Sequence, residues 1–237
     1  MTDRYFFLHL QKTGGSALKM RLRHCLGERA VYPCPDDGDL PDAVIRPARL
    51  LERMRERGEE VRVVAGHFPL ATVDLLPGEY RTFTLLREPV ERTLSFLRHQ
   101  VRTGNTSTDD LMKLYEDPSR YRMLHNHMTK MLALDAERTL SGGAILAEVE
   151  MTDELLQLAQ QRLAKVDVVG VQEHYDEFVM ALEREFGWDL GPPLTANQTE
   201  ARPVDAAFRE RIAEDNALDV ALYEYALGLV ATAASTT

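Results

Sequence analysis

The fold is decided by a stretch near the N-terminus that reads Tyr5-Phe6-Phe7-Leu8-His9-Leu10-Gln11-Lys12-Thr13-Gly14-Gly15-Ser16. Residues 5–10 form a short aromatic and aliphatic run, which is typical of a buried strand. The two glycines that follow allow the backbone to turn sharply. The next apolar residues recur at helical spacing, at Ala17, Leu18, Leu22 and Leu26. The stretch therefore predicts a strand, a tight glycine turn and a helix.

The alternation of strands and helices continues along the chain. Further strands are predicted at residues 61–65, 81–86 and 166–171, and further helices at 47–57, after Pro89, and near 107–116, 119–133, 152–165, 174–186 and 205–231. Apolar strands separated by helices predict an α/β fold, with a mainly parallel sheet between two layers of helices and a helix-rich C-terminal half. No repeat or linker interrupts the pattern, so we expect one domain over residues 1–237.

Charge and composition limit the classes of partner. The 237 residues carry a formal net charge of −10, with 44% hydrophobic and 28% charged residues, which excludes a disordered chain and disfavours a nucleic-acid or anionic-membrane binder. Residues 1–104 hold 17 Lys and Arg against 14 Asp and Glu, whereas residues 105–237 hold 11 against 24. If the protein binds an anion, we therefore expect the first half to hold it.

The sequence also bears on location and redox state. No apolar run is long enough to cross a bilayer and no signal peptide is visible, so we expect a cytoplasmic protein without an integral membrane segment. The two cysteines, Cys25 and Cys34, lack metal-site spacing. They either pair with each other or remain free thiols, and a reducing cytosol favours free thiols. His125 and His127 would point to different sides of one helix, which makes them a poor metal pair.

The glycine turn is a candidate anion site. Backbone amides at the start of a helix offer partial positive charge to a phosphate, and Lys12 adds a full charge. A Walker A loop places its lysine after the glycines, whereas Lys12 precedes them, so this is not an ordinary nucleoside-triphosphate loop. A plain turn with a solvated lysine is the alternative. The amides concerned are those of Thr13, Gly14, Gly15, Ser16 and Ala17.

Three further side chains follow predicted strands or lie on the next helix. Arg87 directly follows the predicted strand at 81–86, and its guanidinium at this position is suited to binding a phosphate. Ser95 lies two turns along the next helix. The alternative is an Arg87 that pairs with a carboxylate and a Ser95 that only packs. His67 follows the strand at 61–65, and an imidazole there suits a general base near neutral pH. A hydrogen-bonded structural histidine is the alternative.

Together these segments resemble the sulfotransferase superfamily, in the branch of the carbohydrate O-sulfotransferases and their bacterial relatives. Residues 7–16 resemble that branch's H-I-P-K-T-G-G-T/S loop, with Gln11 in place of the usual proline. Residues 86–95 resemble its R-D-P-x-x-R-x-x-S segment, with Glu88 in place of the usual aspartate. Gly66-His67 resembles the position of a catalytic histidine in uronyl 2-O-sulfotransferases, whereas other branches use a glutamate. Weaker similarity covers residues 126–132, 169–173, 196–203 and 216–223.

The resemblance implies a P-loop-like fold and a donor, 3′-phosphoadenosine 5′-phosphosulfate (PAPS), that leaves as 3′-phosphoadenosine 5′-phosphate (PAP). It implies that Lys12 and the loop amides hold the 5′-phosphosulfate and that Arg87 and Ser95 bind the 3′-phosphate. Thr199 and Arg202 are expected in a late loop over the nucleotide; an exposed arginine is the alternative for Arg202.

The expected function is PAPS-dependent O-sulfotransfer to a hydroxyl of a carbohydrate, glycolipid or other small acceptor. His67 is the expected general base, and no metal is expected because protein cations neutralise the charge. The alternatives are a nucleotide-dependent kinase or NTPase on a related fold, and a non-catalytic nucleotide-binding protein. The acceptor, the adenine-binding residues and the oligomeric state stay open.

Overall fold

A parallel sheet forms the centre of the computed structural model, which describes residues 3–38, 40–140, 144–192 and 203–235. Its strands are β1 (Tyr5–Leu8), β2 (Val31–Tyr32), β3 (Val63–Val64), β4 (Arg81–Leu86) and β5 (Val168–Val171). They lie in the order β2-β3-β1-β4-β5, and every neighbouring pair is parallel. Because β1 lies between β3 and β4, the loops that follow these three strands leave the sheet side by side.

Twelve helices surround the sheet in the described part of the chain. They are α1 (Gly15–Leu26), α2 (Leu40–Ile45), α3 (Pro47–Arg57), α4 (Pro89–Arg102), α5 (Leu111–Tyr115), α6 (Tyr121–Leu124), α7 (His127–Ala133), α8 (Ala136–Leu140), α9 (Asp153–Leu163), α10 (Tyr175–Phe186), α11 (Ala206–Asp215) and α12 (Ala217–Ser235). None of these described helices combines the length and the apolar character that a bilayer span requires.

The core lies on both faces of the sheet, as the alternation of side chains along β1 requires. Phe6 and Leu8 pack into a core that includes residues of α3, α7, α9 and α12. Tyr5 and Phe7 point to the other face and pack against residues of α1 and α10. This arrangement confirms the predicted three-layer α/β fold with a parallel sheet.

The predicted helices at 119–133 and 205–231 are each broken at an asparagine. Asn126, in the left-handed region with φ 45°, separates α6 from α7, and Asn216 separates α11 from α12. The prediction of two continuous helices was therefore wrong, because the two asparagines bond to each other's segments across the fold, which the local apolar spacing does not reveal. His125 and His127 accordingly lie on either side of a break and not on one helix.

Two smaller features differ from or extend the predictions. The strand at 5–10 ends at Leu8, so His9 and Leu10 belong to the loop, and the two-residue edge strand β2 was not predicted. Cys25 and Cys34 are both free thiols, of which Cys34 is buried.

Candidate active site

Three predicted segments meet at the carboxyl edge of the sheet, where the loops after β1, β3 and β4 leave it. His67, which follows β3, places its Nδ1 2.7 Å from the carbonyl oxygen of His9 in the loop after β1. Arg87, which follows β4, donates from Nη1 to the carbonyl oxygen of Lys12 at 3.2 Å. The structure therefore brings Lys12, His67 and Arg87 together around one loop.

The loop after β1 presents amides at the start of α1. Gly14 is the N-cap of α1, its φ of 97° is left-handed, and no side chain caps the helix there. The N–H groups of Gly14, Gly15 and Ser16 form no hydrogen bond with the described residues. They are therefore available to a ligand, and the helix dipole favours an anion.

Two other predicted donors of this loop are engaged within it. The Ala17 N–H donates to the Gly14 carbonyl oxygen at 3.1 Å, so this amide is not a free donor. Thr13 is buried, and its hydroxyl donates to the Leu10 carbonyl oxygen at 3.0 Å. The Thr13 side chain thus shapes the loop.

Glycine is required at position 15 by the close approach of His9. A Cβ on Gly15 would lie 2.2 Å from Cδ2 and 2.4 Å from Nε2 of the His9 ring. The His9 ring also stacks on Phe7 and lies 4.3 Å from the His67 ring, centroid to centroid. The start of α1 is therefore held against the His9 ring and, through it, beside His67.

Lys12 and Arg87 are partly buried cations at this edge, and the carboxylates of Glu91 and Glu173 act electrostatically on Arg87. Lys12 is half-buried and forms no ion pair with a described residue. Burial lowers its pKa, and the charges of Arg102 and Arg87 lower it further. The pKa of Arg87 is also lowered, chiefly by burial, and its Nε is buried without a partner among the described residues. A bound anion would stabilise both cations, which is the electrostatic signature of an anion site.

Helix α4 contributes one face to this cluster. Ser95 is half-buried, and its hydroxyl forms no hydrogen bond with the described residues. His99 and Arg102 lie four and seven residues further along, on the same helical face, and both interact electrostatically with Lys12. Sequence reasoning missed these two residues, although their spacing from Ser95 was a usable signal.

The amino end of α4 is closed by its own side chain. Glu88 accepts hydrogen bonds from the N–H groups of Val90 and Glu91 at 3.0 and 2.8 Å. The glutamate that replaces the usual aspartate therefore acts as a helix cap. The anion-binding capacity of this region consequently lies in side chains and not in the α4 amides.

His67 is held in one tautomer. A carbonyl oxygen can only accept, so the contact with His9 places the proton on Nδ1 and leaves a lone pair on Nε2. Nε2 forms no hydrogen bond with the described residues. Burial lowers the pKa of His67 to about 4, and the charges of Lys19 and Lys12 add to the effect. The imidazole is therefore neutral at neutral pH, in the form that accepts a proton.

Lys19 was not predicted from the sequence. It lies one turn after Gly15 on the same face of α1, is half-buried and forms no ion pair with a described residue. Its charge acts on both His9 and His67. A lysine on a helix has no sequence signal that would place it beside a histidine 48 positions away in the chain.

Thr199 and Arg202 lie outside the described residues. Within the described ranges, no group of three or more histidine, cysteine and carboxylate side chains has the arrangement of a metal site.

Two of the segments with weaker sequence similarity, residues 169–173 and 216–223, contact each other next to the segment that carries Arg87. The carboxylate of Glu173 accepts a hydrogen bond from the Glu88 N–H at 3.3 Å and another from the Tyr223 hydroxyl at 2.7 Å. Glu173 follows β5 and Tyr223 belongs to α12. Residues distant in the chain therefore support the segment that carries Arg87.

Comparison of the sequence with known proteins finds sulfotransferases among its relatives. The chain is 28% identical to heparan-sulfate 6-O-sulfotransferase 1 of Gallus gallus and of Homo sapiens, over 94% and 96% of its own length. It is 31% identical to heparan-sulfate 6-O-sulfotransferase 3 of Mus musculus over 62% of its length. The resemblance to the carbohydrate O-sulfotransferase branch is confirmed. The chain spans 65% of the length of the chicken and human sulfotransferases and 37% of the mouse one, and no protein-family model matches it.

The arrangement has the elements that group transfer from an activated anion requires. Free amides begin α1, Lys12 and Arg87 adjoin the same loop, and His67 presents a neutral imidazole with a lone pair. Donors of this kind stabilise charge that develops on a leaving group, and the imidazole can take a proton from an attacking hydroxyl.

Proposed function

We propose that the protein is a sulfotransferase that moves a sulfuryl group from PAPS to a hydroxyl of a carbohydrate, glycolipid or other small acceptor. The observation that carries the proposal is the convergence of Lys12, Arg87 and the uncapped start of α1 beside the free Nε2 of His67. The similarity to sulfotransferases over most of the chain supports the reaction class.

Donor binding divides between two groups of residues. Lys12 and the amides of Gly14, Gly15 and Ser16 would hold the 5′-phosphosulfate. Arg87 and Ser95 would bind the 3′-phosphate, which distinguishes this donor from ATP. The lowered pKa of Lys12 and the unpartnered Nε of Arg87 support this division, because both groups gain stability from a bound anion.

The proposed transfer is a single in-line displacement. The acceptor oxygen forms a bond to sulfur while the bond between sulfur and the bridging phosphate oxygen breaks, and PAP leaves. His67 Nε2 takes the proton of the acceptor hydroxyl, a contribution of about 10²- to 10⁴-fold in rate. Lys12 and the loop amides stabilise the charge that develops on the bridging oxygen. These cations take the part that magnesium plays in kinases, so the step includes no metal.

The acceptor is proposed to be a glycan. The relatives carry the name of enzymes that act on heparan sulfate, and this supports a sugar hydroxyl as the acceptor here. The formal charge of −10 disfavours strong binding of a highly sulfated polyanion over a broad surface. We therefore place the acceptor contact beside His67 and not on the outer surface.

Calorimetry with the purified protein tests donor binding. PAP should bind without metal and should bind more tightly than adenosine 5′-monophosphate, which lacks the 3′-phosphate. Arg87→Ala should weaken PAP binding by about 10- to 100-fold, as expected for a charged hydrogen bond, and leave adenosine 5′-monophosphate little affected. His67→Ala is the matched control and should bind PAP normally.

Two other results would reject the proposal. Preferential binding of ATP with magnesium would favour a kinase or NTPase. Tight PAP binding without sulfuryl transfer to any hydroxylated acceptor in a broad panel would favour a non-catalytic nucleotide-binding protein.

A further inference from the structure

His127 is a fully buried histidine that contacts the loop after β1. It is the first residue of α7, and its Nε2 lies 3.5 Å from the backbone nitrogen of Gln11. A backbone N–H can only donate, so Nε2 is the acceptor and the proton of the ring lies on Nδ1. Nδ1 is buried and has no hydrogen-bond partner among the described residues. The ring therefore uses its only polar contact with these residues to bind the loop.

The backbone of His127 is fixed by a reciprocal pair of helix starts. The side chain of Asn126 accepts from the N–H groups of Leu218 and Asp219 at the start of α12. In return, Asn216 accepts from the Asn126 N–H at 2.9 Å, and Asp219 accepts from two amides of α7 at 2.8 and 3.1 Å. Each helix start satisfies the amides of the other, so neither can move alone.

The loop needs to be held because Lys12 is in an unfavourable conformation. Its φ of 67° is left-handed, which costs a residue with a Cβ about 1–2 kcal/mol. Arg87 donates to the Lys12 carbonyl oxygen on one side, and His127 accepts the Gln11 N–H on the other. These two contacts bracket the residue whose backbone is strained.

We propose that His127 is a positioning residue, which holds the Gln11 N–H and thereby keeps Lys12 in its left-handed conformation at the mouth of the anion site. The loop contact is independent of the proposed function. Its consequence for donor binding rests on that function.

The charge state of His127 agrees with this role. Burial lowers the pKa of His127 well below its usual value, and the positive charges of Arg92 and Lys130 and the nearby His67 lower it further. Asp219 also faces this region, and it is engaged by the α7 amides. The Nε2 lone pair is therefore free to accept throughout the neutral range.

Amide hydrogen exchange of the ligand-free protein tests the loop contact directly. His127→Leu removes the acceptor of the Gln11 N–H and should raise exchange of the Gln11 amide about fivefold. His127→Gln places an oxygen at about the reach of Nε2 and should restore protection. His127→Asn is equally polar but shorter, and it should behave like leucine.

Thr129→Val controls for loss of stability. It removes the 2.8 Å hydrogen bond from the Thr129 hydroxyl to Asp219, while the two α7 amides remain bonded to Asp219. This variant should lower the melting temperature and leave exchange of the Gln11 amide at the wild-type value. If the leucine variant does not fold, the difference in exchange between His127→Gln and His127→Asn still tests the positioning role.

A second measurement separates this inference from the proposed function. PAP affinity should fall about fivefold in His127→Leu and His127→Asn, and stay near wild type in His127→Gln and Thr129→Val. Equal loop exchange in the glutamine and asparagine variants would overturn the positioning role. A wild-type protein that does not bind PAP would reject the donor and leave the exchange result as the test of His127.

Discussion

At the scale of single residues, one hydrogen bond fixes the tautomer of His67 and thereby the nitrogen that can accept a proton. Its Nδ1 proton is held by the His9 carbonyl oxygen, so Nε2 carries the lone pair that can accept a proton. A pKa of about 4 makes this imidazole a weak base in the free protein. A bound anionic donor would offset the charges of Lys12 and Lys19 and raise that pKa, which makes His67 a stronger base when the donor is bound.

Lys19→Met tests this electrostatic control. The Lys19 charge lowers the pKa of His67, so its removal should raise that pKa and move the acid limb of kcat/KM to higher pH. The methionine keeps most of the length of the apolar stem. Lys19→Arg keeps the charge and should retain the wild-type profile. Identical acid limbs in the methionine variant and the wild type would contradict the assignment.

The positions of some residues at this edge of the sheet could be predicted from the sequence. The placement of Lys12, His67 and Arg87 at one edge could be predicted because each follows a strand, and parallel strands bring their carboxyl ends to one edge; their roles stay predictions. Lys19 and His127 reach the site from helices through the packing of distant segments. No local pattern encodes that packing, so their contacts were not predictable.

At the scale of elements, the start of α1 requires a residue without a side chain at position 15. Gly15→Ala would place a Cβ 2.2 Å from the His9 ring, so the ring or the helix must shift. We expect a loss of about 1–3 kcal/mol in the free energy of unfolding, measured by urea denaturation, together with lower turnover. Ser16→Ala, at the exposed next position, should have little effect on stability. An unchanged stability of Gly15→Ala would show that His9 does not require the glycine.

The boundaries of the elements were predictable where the signal is local. Helix α3 (Pro47–Arg57) matches the prediction because Pro47 begins it and Gly58 follows its end. The breaks at Asn126 and Asn216 were not predictable, because each asparagine caps a helix about 90 residues away in the chain. Strand β2 was missed because two residues are too few to form a pattern.

At the scale of the whole molecule, the buried histidines make stability depend on pH. His9 and His127 are buried, and burial holds the pKa of each well below the value of about 6.5 that an unfolded histidine has. As pH falls through about 6.5, the unfolded chain binds protons that the folded chain does not. The free energy of unfolding therefore falls below that pH.

Urea unfolding at about pH 7.5 and about pH 5.5 measures this dependence. Each buried histidine should contribute up to about 1.4 kcal/mol per pH unit to the loss of stability. His127→Gln removes one such group and should flatten the slope by up to that amount. The same slope in the variant and the wild type would contradict a neutral buried His127.

The overall architecture was predictable because apolar strands and amphipathic helices alternate along the chain. The two faces of β1 pack into separate cores, as the run of large apolar residues indicates. A single domain over residues 1–237 and a cytoplasmic location stay predictions. So do the roles of Thr199 and Arg202.

Transfer of radiolabelled sulfate from PAPS to a glycan tests the proposed sulfuryl transfer. The wild-type protein should label at least one glycan in a panel of heparan sulfate, desulfated heparan and neutral oligosaccharides, in the presence of a metal chelator. His67→Ala should bind PAP normally and label the same glycan about 10²- to 10⁴-fold more slowly. Labelling by His67→Ala at the wild-type rate would contradict the assigned base. The absence of labelling by the wild-type protein across the panel would contradict the account as a whole.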